Sequence, residues 1–221
     1  MNLARRLAAE AVGTALLLAI VVGSGIMGQR LSQGNDAIAL LGNSIATGAG
    51  LAVLIFLFAP ISGAHFNPVV TLSEALDGKL TWRDASRYIP VQIIAALVGV
   101  AATHLMFNEA LFTPSDHARL GPRLWWSEFI ATFGLILVIK LSVQHNAKAV
   151  PLTVAAYITA AYWFTASTSF ANPAVTIARS LTPTFSGIRP DGIVGFIVAQ
   201  LLGAFVAAKF SSYLIGSRSI E

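Results

Sequence analysis

Cysteine is absent from the chain, which excludes disulfides, thiol catalysis and cysteine-bound metal clusters. Charge is scarce as well. Charged residues make up 11% of the 221 residues, against about 25% in soluble domains. A surface so poor in charge cannot keep a monomer dissolved in water alone. Disordered, collagen-like and coiled-coil classes fall away on the same composition. No nucleotide-binding motif appears, so nothing supports ATP-driven pumping. The histidines other than His65, namely His104, His117 and His145, have no ligand spacing, so no metal site and no cofactor is expected. The net charge is +4, but the basic residues lie scattered between apolar runs and form no patch. A nucleic-acid partner is therefore not expected.

What the chain does have is apolar length. Hydrophobic residues are 56% of it, and the mean hydropathy is +0.73. A helix needs about 20 mostly apolar residues to cross the hydrocarbon core. Six stretches qualify, about Leu7 to Met27, Ile38 to Ala59, Tyr88 to Phe107, Trp125 to Val143, Val150 to Ser167 and Ile193 to Leu214. Glycines inside them (Gly13, Gly48, Gly99, Gly134, Gly203) would weaken soluble helices, but in a bundle they allow close approach. The first stretch carries Glu10 and is followed by Gly28-Gln29-Arg30, not a cleavage-type site, so it reads as mature structure. With the N-terminus inside, nine of the 14 Lys and Arg residues fall on the inner side (Arg5, Arg6, Lys79, Arg83, Arg87, Lys140, Lys148, Lys209, Arg218). Arg30, Arg119, Arg123, Arg179 and Arg189 fall outside. The excess predicts a multi-pass protein of the cell (inner) membrane with both termini cytoplasmic. Trp82 and the pair Trp125-Trp126 sit where interfacial anchors are expected.

The halves of the chain resemble each other. Ala9-Glu10-Ala11-Val12-Gly13-Thr14 in the first stretch matches Ser127-Glu128-Phe129-Ile130-Ala131-Thr132 in the fourth. Asn67-Pro68-Val69-Val70-Thr71 matches Asn172-Pro173-Ala174-Val175-Thr176. Three spans per half place the halves in opposite orientations, the inverted repeat of many transport proteins. One channel domain over 1–221 is expected, with a first repeat over 1–108 and a second over 124–221. Asn suits a helix N-cap and Pro the first helical position. About ten helix-compatible residues follow each pair, which is about 15 Å of helix and half the core thickness. The spacing predicts half-helices over about 67–76 and 172–181, entering from opposite faces and meeting N-terminus to N-terminus. Two positive dipole ends would then repel cations while two asparagine amides donate to a passing neutral oxygen. The other reading is an ordinary loop-to-helix cap.

These segments resemble the aquaporin, or major intrinsic protein, family, and the resemblance covers nearly the whole chain. It is carried by Ser62-Gly63-Ala64-His65-Phe66-Asn67-Pro68-Val69-Val70-Thr71-Leu72, by Asn172-Pro173-Ala174 and by the two glutamates. It implies an all-α membrane protein with six transmembrane helices, two re-entrant half-helices and one pore per monomer, four monomers forming a homotetramer in the bilayer. Val69 departs from the usual Asn-Pro-Ala. Glu10 and Glu128 are the only acids inside spans. They either brace the re-entrant loops by accepting backbone N–H bonds, as the family resemblance suggests, or relay protons.

The family's water channels narrow at a four-residue ring with an arginine directly after the second Asn-Pro-Ala. That position is Val175 here, and the other three fall by offset on Thr47, Ala160 and Ser169, with Tyr157 or Tyr162 replacing Ala160 if the helix shifts. Small uncharged residues there predict a wide filter. Arg179 lies four positions after Val175, so it either reaches the outer vestibule or ends the half-helix in solvent. His65 either lines the inner pore mouth, where it could gate with pH, or is bonded within its loop. The run Asn172 to Ser180 resembles a bacterial, aquaglyceroporin-like branch associated with arsenic resistance. The reading is a passive channel, not an enzyme, for small uncharged solutes: glycerol-like polyols, arsenous acid or related metalloid hydroxides, and water. A water-selective channel and an ion-coupled transporter are the alternatives. Gly23-Ser24-Gly25 with His104 is the only material for a serine hydrolase, and in a membrane helix such a run is a packing surface.

Overall fold

The computed structural model describes residues 1–216. Arg218, counted above among the inner charges, lies outside the described residues. The described chain is all helical. Helix α1 spans Leu3–Leu31, α2 Asp36–Ser62, α3 Pro68–Leu76, α4 Trp82–Phe107, α5 Pro122–Asn146, α6 Val150–Phe164, α7 Pro173–Arg179 and α8 Ile193–Ile215. Short 3-10 turns at Ala147–Ala149 and Pro190–Gly192 lead into α6 and α8.

Helix starts follow from capping chemistry. The Asn2 side chain accepts from Arg5 N–H, Asn35 from Ala37 and Ile38, and Thr81 from Asp84. Five helical stretches are long and apolar enough to cross a membrane. One of them, Pro122–Phe164, has 43 residues. As one continuous helix it would be about 65 Å long, twice the core. It is instead α5 and α6, folded back at the 3-10 turn, so six long helices alternate in direction.

Helix α1 packs on α2 and on α4, α5 packs on α6 and α8, and α2 meets α6. The short helices cross this division. Helix α3 contacts both α4 and α8, and α7 does the same. Two expectations change at the ends. Helix α6 stops at Phe164, not Ser167, because Thr165 turns extended to carry the chain inward. Helix α7 has 7 residues and stops at Arg179, two short of Leu181. Ser180 and Leu181 close it with tighter bonds to Ile177 and Ala178 carbonyls.

Side chains on the outside of the bundle are apolar. Phe56 is 71% exposed, Leu105 72%, Val194 70% and Leu152 69%, as lipid requires. At the helix crossings the chain uses glycine. A Cβ on Gly99 would collide with the Ala15 carbonyl of α1, and one on Gly203 with the Phe129 carbonyl of α5. Backbone cannot give way as a side chain can. Gly99→Val and Gly203→Val are each expected to destabilise the bundle by about 1–3 kcal/mol, while Gly42→Ala, with nothing within 4 Å of its Cβ, should leave it unchanged. Melting of the purified variants in one detergent checks this.

Candidate functional site

The site is built on the two loops that precede α3 and α7. Each loop alternates ordinary and left-handed backbone: φ is 51° at Ala64 and 50° at Phe66, 51° at Ser169 and 47° at Ala171. Such values are unfavourable for residues with a Cβ, so something must hold them. Two buried carboxylates do. Glu10 Oε1 accepts from Ser62 Oγ at 2.6 Å and His65 N–H at 3.0 Å, and its Oε2 accepts from Phe66 N–H at 2.7 Å and Gln92 Nε2 at 2.9 Å. Glu128 accepts from Phe170 and Ala171 N–H at 2.9 Å each and from Gln200 Nε2 at 2.6 Å. Gln92 also donates to Thr71, and Gln200 to Thr176, at 2.9 Å each. Both glutamates are 0% exposed and every bond described here is to a loop or a neighbouring helix. Gln92 and Gln200 were not singled out from sequence, though an amide inside an apolar span is itself a signal.

With N–H groups spent on carboxylates, the loops present carbonyls. Among the described residues, the carbonyls of Gly63, Ala64, His65, Ser169 and Phe170 accept no hydrogen bond. All five residues line one cavity. Ala64, Ser169 and Phe170 are buried, and buried carbonyls without partners are costly, so these carbonyls are acceptors for a donor that enters the cavity. The facing wall is apolar, including Leu17, Val21, Leu51, Ile55, Leu135 and Val154.

Asn67 and Asn172 sit between the loops and are 4% and 5% exposed. Asn67 Oδ1 accepts from Val69 N–H at 3.0 Å, and Asn172 Oδ1 from Ala174 and Val175 N–H at 3.0 and 3.3 Å. Each amide nitrogen crosses to the opposite loop. Asn67 Nδ2 donates to Ala171 O and Asn172 Nδ2 to Phe66 O, both at 2.8 Å. An amide carries two N–H donors, so each keeps one. Both asparagines line the cavity, with the first residues of α3 and α7 behind them. Pro68, Pro173 and Ala174 are buried. Val69 does not line this cavity; it packs with Val70, Ile136, Ala204 and Ala207.

The remaining candidates separate. Thr47, Ser169, Val175 and Arg179 line the cavity, as does His65 at the other end. Ala160 does not: it is exposed on the outer side of α6. Helical phase puts Ile158 and Tyr162 on the inner face instead, and Tyr162 Oη lies 3.2 Å from Thr47 Oγ1. Tyr157 points the other way and donates to Ala131 O at 3.0 Å. The lining is therefore less uniformly small than the sequence suggested, because a phenol replaces a methyl group. His65 Nδ1 is 3.0 Å from Thr71 Oγ1. That hydroxyl donates to Asn67 O at 3.1 Å, which leaves the imidazole Nδ1–H as the donor. Arg179 is 2% exposed, not a solvated helix end. His104 bonds Ala110 O and Thr182 Oγ1 at 2.7 and 2.8 Å, which is a loop tie. Among the described residues no cluster could hold a metal ion.

The family model described as Major intrinsic protein matches residues 1–160 and 142–219. The chain is 53% identical over 214 residues to aquaglyceroporin AqpS of Rhizobium meliloti (strain 1021), covering 97% of this chain and 91% of that protein. It is 28% identical over 225 residues to glycerol uptake facilitator protein-like 6 of Lactiplantibacillus plantarum, covering 96% and 99%. Among solved structures, the aquaglyceroporin from Plasmodium falciparum superposes with a TM-score of 0.73 at 20% identity, covering 97% of each chain. That likeness shows a common fold.

The carboxylates generate a prediction. Glu10→Gln turns one acceptor oxygen into a donor that faces N–H groups. It is expected to destabilise the fold by about 3 kcal/mol, more than Gln92→Leu, which removes one donor to Glu10 and one to Thr71. Thermal unfolding in detergent followed by tryptophan fluorescence ranks the two.

Proposed function

The chain belongs to the major intrinsic protein family, and from that membership we propose a specific solute range and mechanism. The protein is a membrane-embedded passive channel for small solutes and not an enzyme. We read its cavity as a path for uncharged, hydroxyl-bearing solutes: glycerol-like polyols, arsenous acid and related metalloid hydroxides, with water passing too. The observation that carries this reading is a single cavity lined from His65, past both asparagines, to Tyr162 and Val175.

The mechanism follows from the two walls. A polyol edge donates to the carbonyl strip and accepts from the free asparagine N–H groups, while its carbon edge lies on the apolar wall. A cation needs a full shell of oxygen, and one strip of carbonyls cannot replace it. The cation also meets the N-terminal ends of α3 and α7. Val175, Thr47, Ser169 and Tyr162 form the proposed filter, and none is charged. Its size and polarity then set selectivity in place of a guanidinium at position 175.

We further read 1–221 as one channel domain of two inverted repeats, 1–108 and 124–221. Matching bonds support this: Glu10 and Gln92 on one loop, Glu128 and Gln200 on the other. We place the protein in the inner membrane as a homotetramer with cytoplasmic termini. Excess inner Lys and Arg supports the orientation, and the family resemblance supports the assembly.

Purified protein in liposomes tests the function. Stopped-flow light scattering would compare water, glycerol, urea and arsenous acid for wild type and Val175→Arg at matched protein density. The wild type should pass all four, and the arginine variant mainly water. Wild-type passage of water with exclusion of glycerol and arsenous acid would show a water-selective channel. Saturable uptake driven by a pH gradient would show an ion-coupled transporter instead.

A further inference from the structure

Arg179 is the last residue of α7 and lies within the bundle, 2% exposed. Its guanidinium carbon stands 3.4 Å from the centroid of the Phe170 ring, and its Nε donates to the Ser186 carbonyl. A guanidinium has five N–H donors in a fixed fork. Among the described residues, the Nη groups donate to nothing, and no carboxylate forms an ion pair with Arg179. Glu128 is committed to the loop backbone and Gln200.

Beyond Glu128, whose carboxylate is taken up by the loop N–H groups and Gln200, the surroundings add no negative charge. Arg119 brings a second guanidinium to within 5.2 Å of the same Phe170 ring, but its donors go to Gly187 O and Ser167 O at 2.8 and 3.1 Å. Arg179 lines the cavity together with Tyr162, Ser169 and Val175. Ser169 Oγ is buried there without a partner, and so is Ser186 Oγ close to the arginine. Val175 lies one helical turn inward on the same face of α7 and offers nothing that could neutralise the fork.

We propose that this end of the cavity is a binding site for a small oxyanion, held through two oxygens by the Arg179 fork and by the hydroxyls of Ser169 and Tyr162. Parallel N–H bonds to two oxygens of a carboxylate or oxyacid are the geometry a guanidinium supplies and an ammonium does not. Phe170 keeps the fork flat and Ser186 keeps it turned. The bound anion sits in the path of neutral solutes, so it slows their passage. This last consequence rests on the channel reading above; the binding itself does not.

Formate is the probe, compared with chloride at equal ionic strength and pH 7. One arm measures melting of the purified protein against formate concentration. A second measures glycerol flux into liposomes at the same concentrations. The proposal expects formate, and not chloride, to raise the melting temperature saturably and to slow glycerol flux with the same half-saturation. Arg179→Lys keeps the charge and loses the fork, so its half-saturation should rise about tenfold. Arg179→Gln should abolish the effect, and Tyr162→Phe should weaken it. Equal responses to formate and chloride, or an unchanged half-saturation in Arg179→Lys, would overturn the site. Saturable formate binding in a wild type that conducts no glycerol would leave the site standing and refute the channel reading.

Discussion

Asn67 and Asn172 each use one short side chain for three purposes. The oxygen caps its own half-helix, one amide hydrogen holds the opposite loop, and the other hydrogen is left for the cavity. The crossed bonds of 2.8 Å tie α3 to the loop before α7, and α7 to the loop before α3. Two helix N-termini brought together in a medium without water would leave several N–H groups unpaired. The asparagines remove part of that penalty and fix the distance between the loops. The loop carbonyls, the apolar wall and the position of the proposed filter residues all depend on that fixed distance.

The glutamates supply the second constraint. Left-handed φ at Ala64, Phe66, Ser169 and Ala171 shapes both loops, and the carboxylates take up loop N–H groups. A carboxylate can accept several hydrogen bonds at once, which no neutral side chain of its length can do. A buried acid in a membrane span invites a proton-relay interpretation. Here both carboxylates face loop N–H groups and glutamine amides, and neither is among the cavity-lining residues.

The two loops are alike in bracing and different in what they show the solute. His65 and Phe170 occupy matching places before their asparagines. His65 is bonded to Thr71 and stands beside Tyr88. Phe170 is the platform for Arg179 and packs edge-on against Phe196. One end of the cavity therefore has an imidazole and the other a guanidinium on an aromatic face. This asymmetry underlies both the proposed filter and the proposed oxyanion site.

Much of the architecture was legible in local pattern. Apolar runs of about 20 residues admit few structures in lipid. Asn-Pro followed by helix formers dictates a capped start wherever it sits. Glycines inside spans marked two crossings, where backbone of α1 and α5 leaves no room for a Cβ. Rotational phase was not legible. Counting from the asparagines put Ala160 on the cavity, with Tyr157 or Tyr162 as alternatives, and the structure puts Tyr162 there, because no sequence spacing fixes how α6 is turned against α2. The lengths of α6 and α7 also depended on where loops had to turn inward. Arg179 shows the same limit: its charge and its place on α7 could be read, but not its burial over Phe170. The sequence by itself determined the number of crossings, the two half-helix starts and the scarcity of charge, since each depends on neighbours in the chain. Only the tertiary structure decided which side chains face the cavity and which N–H groups stay unpaired, since those depend on residues more than 100 positions apart, such as Asn67 and Ala171.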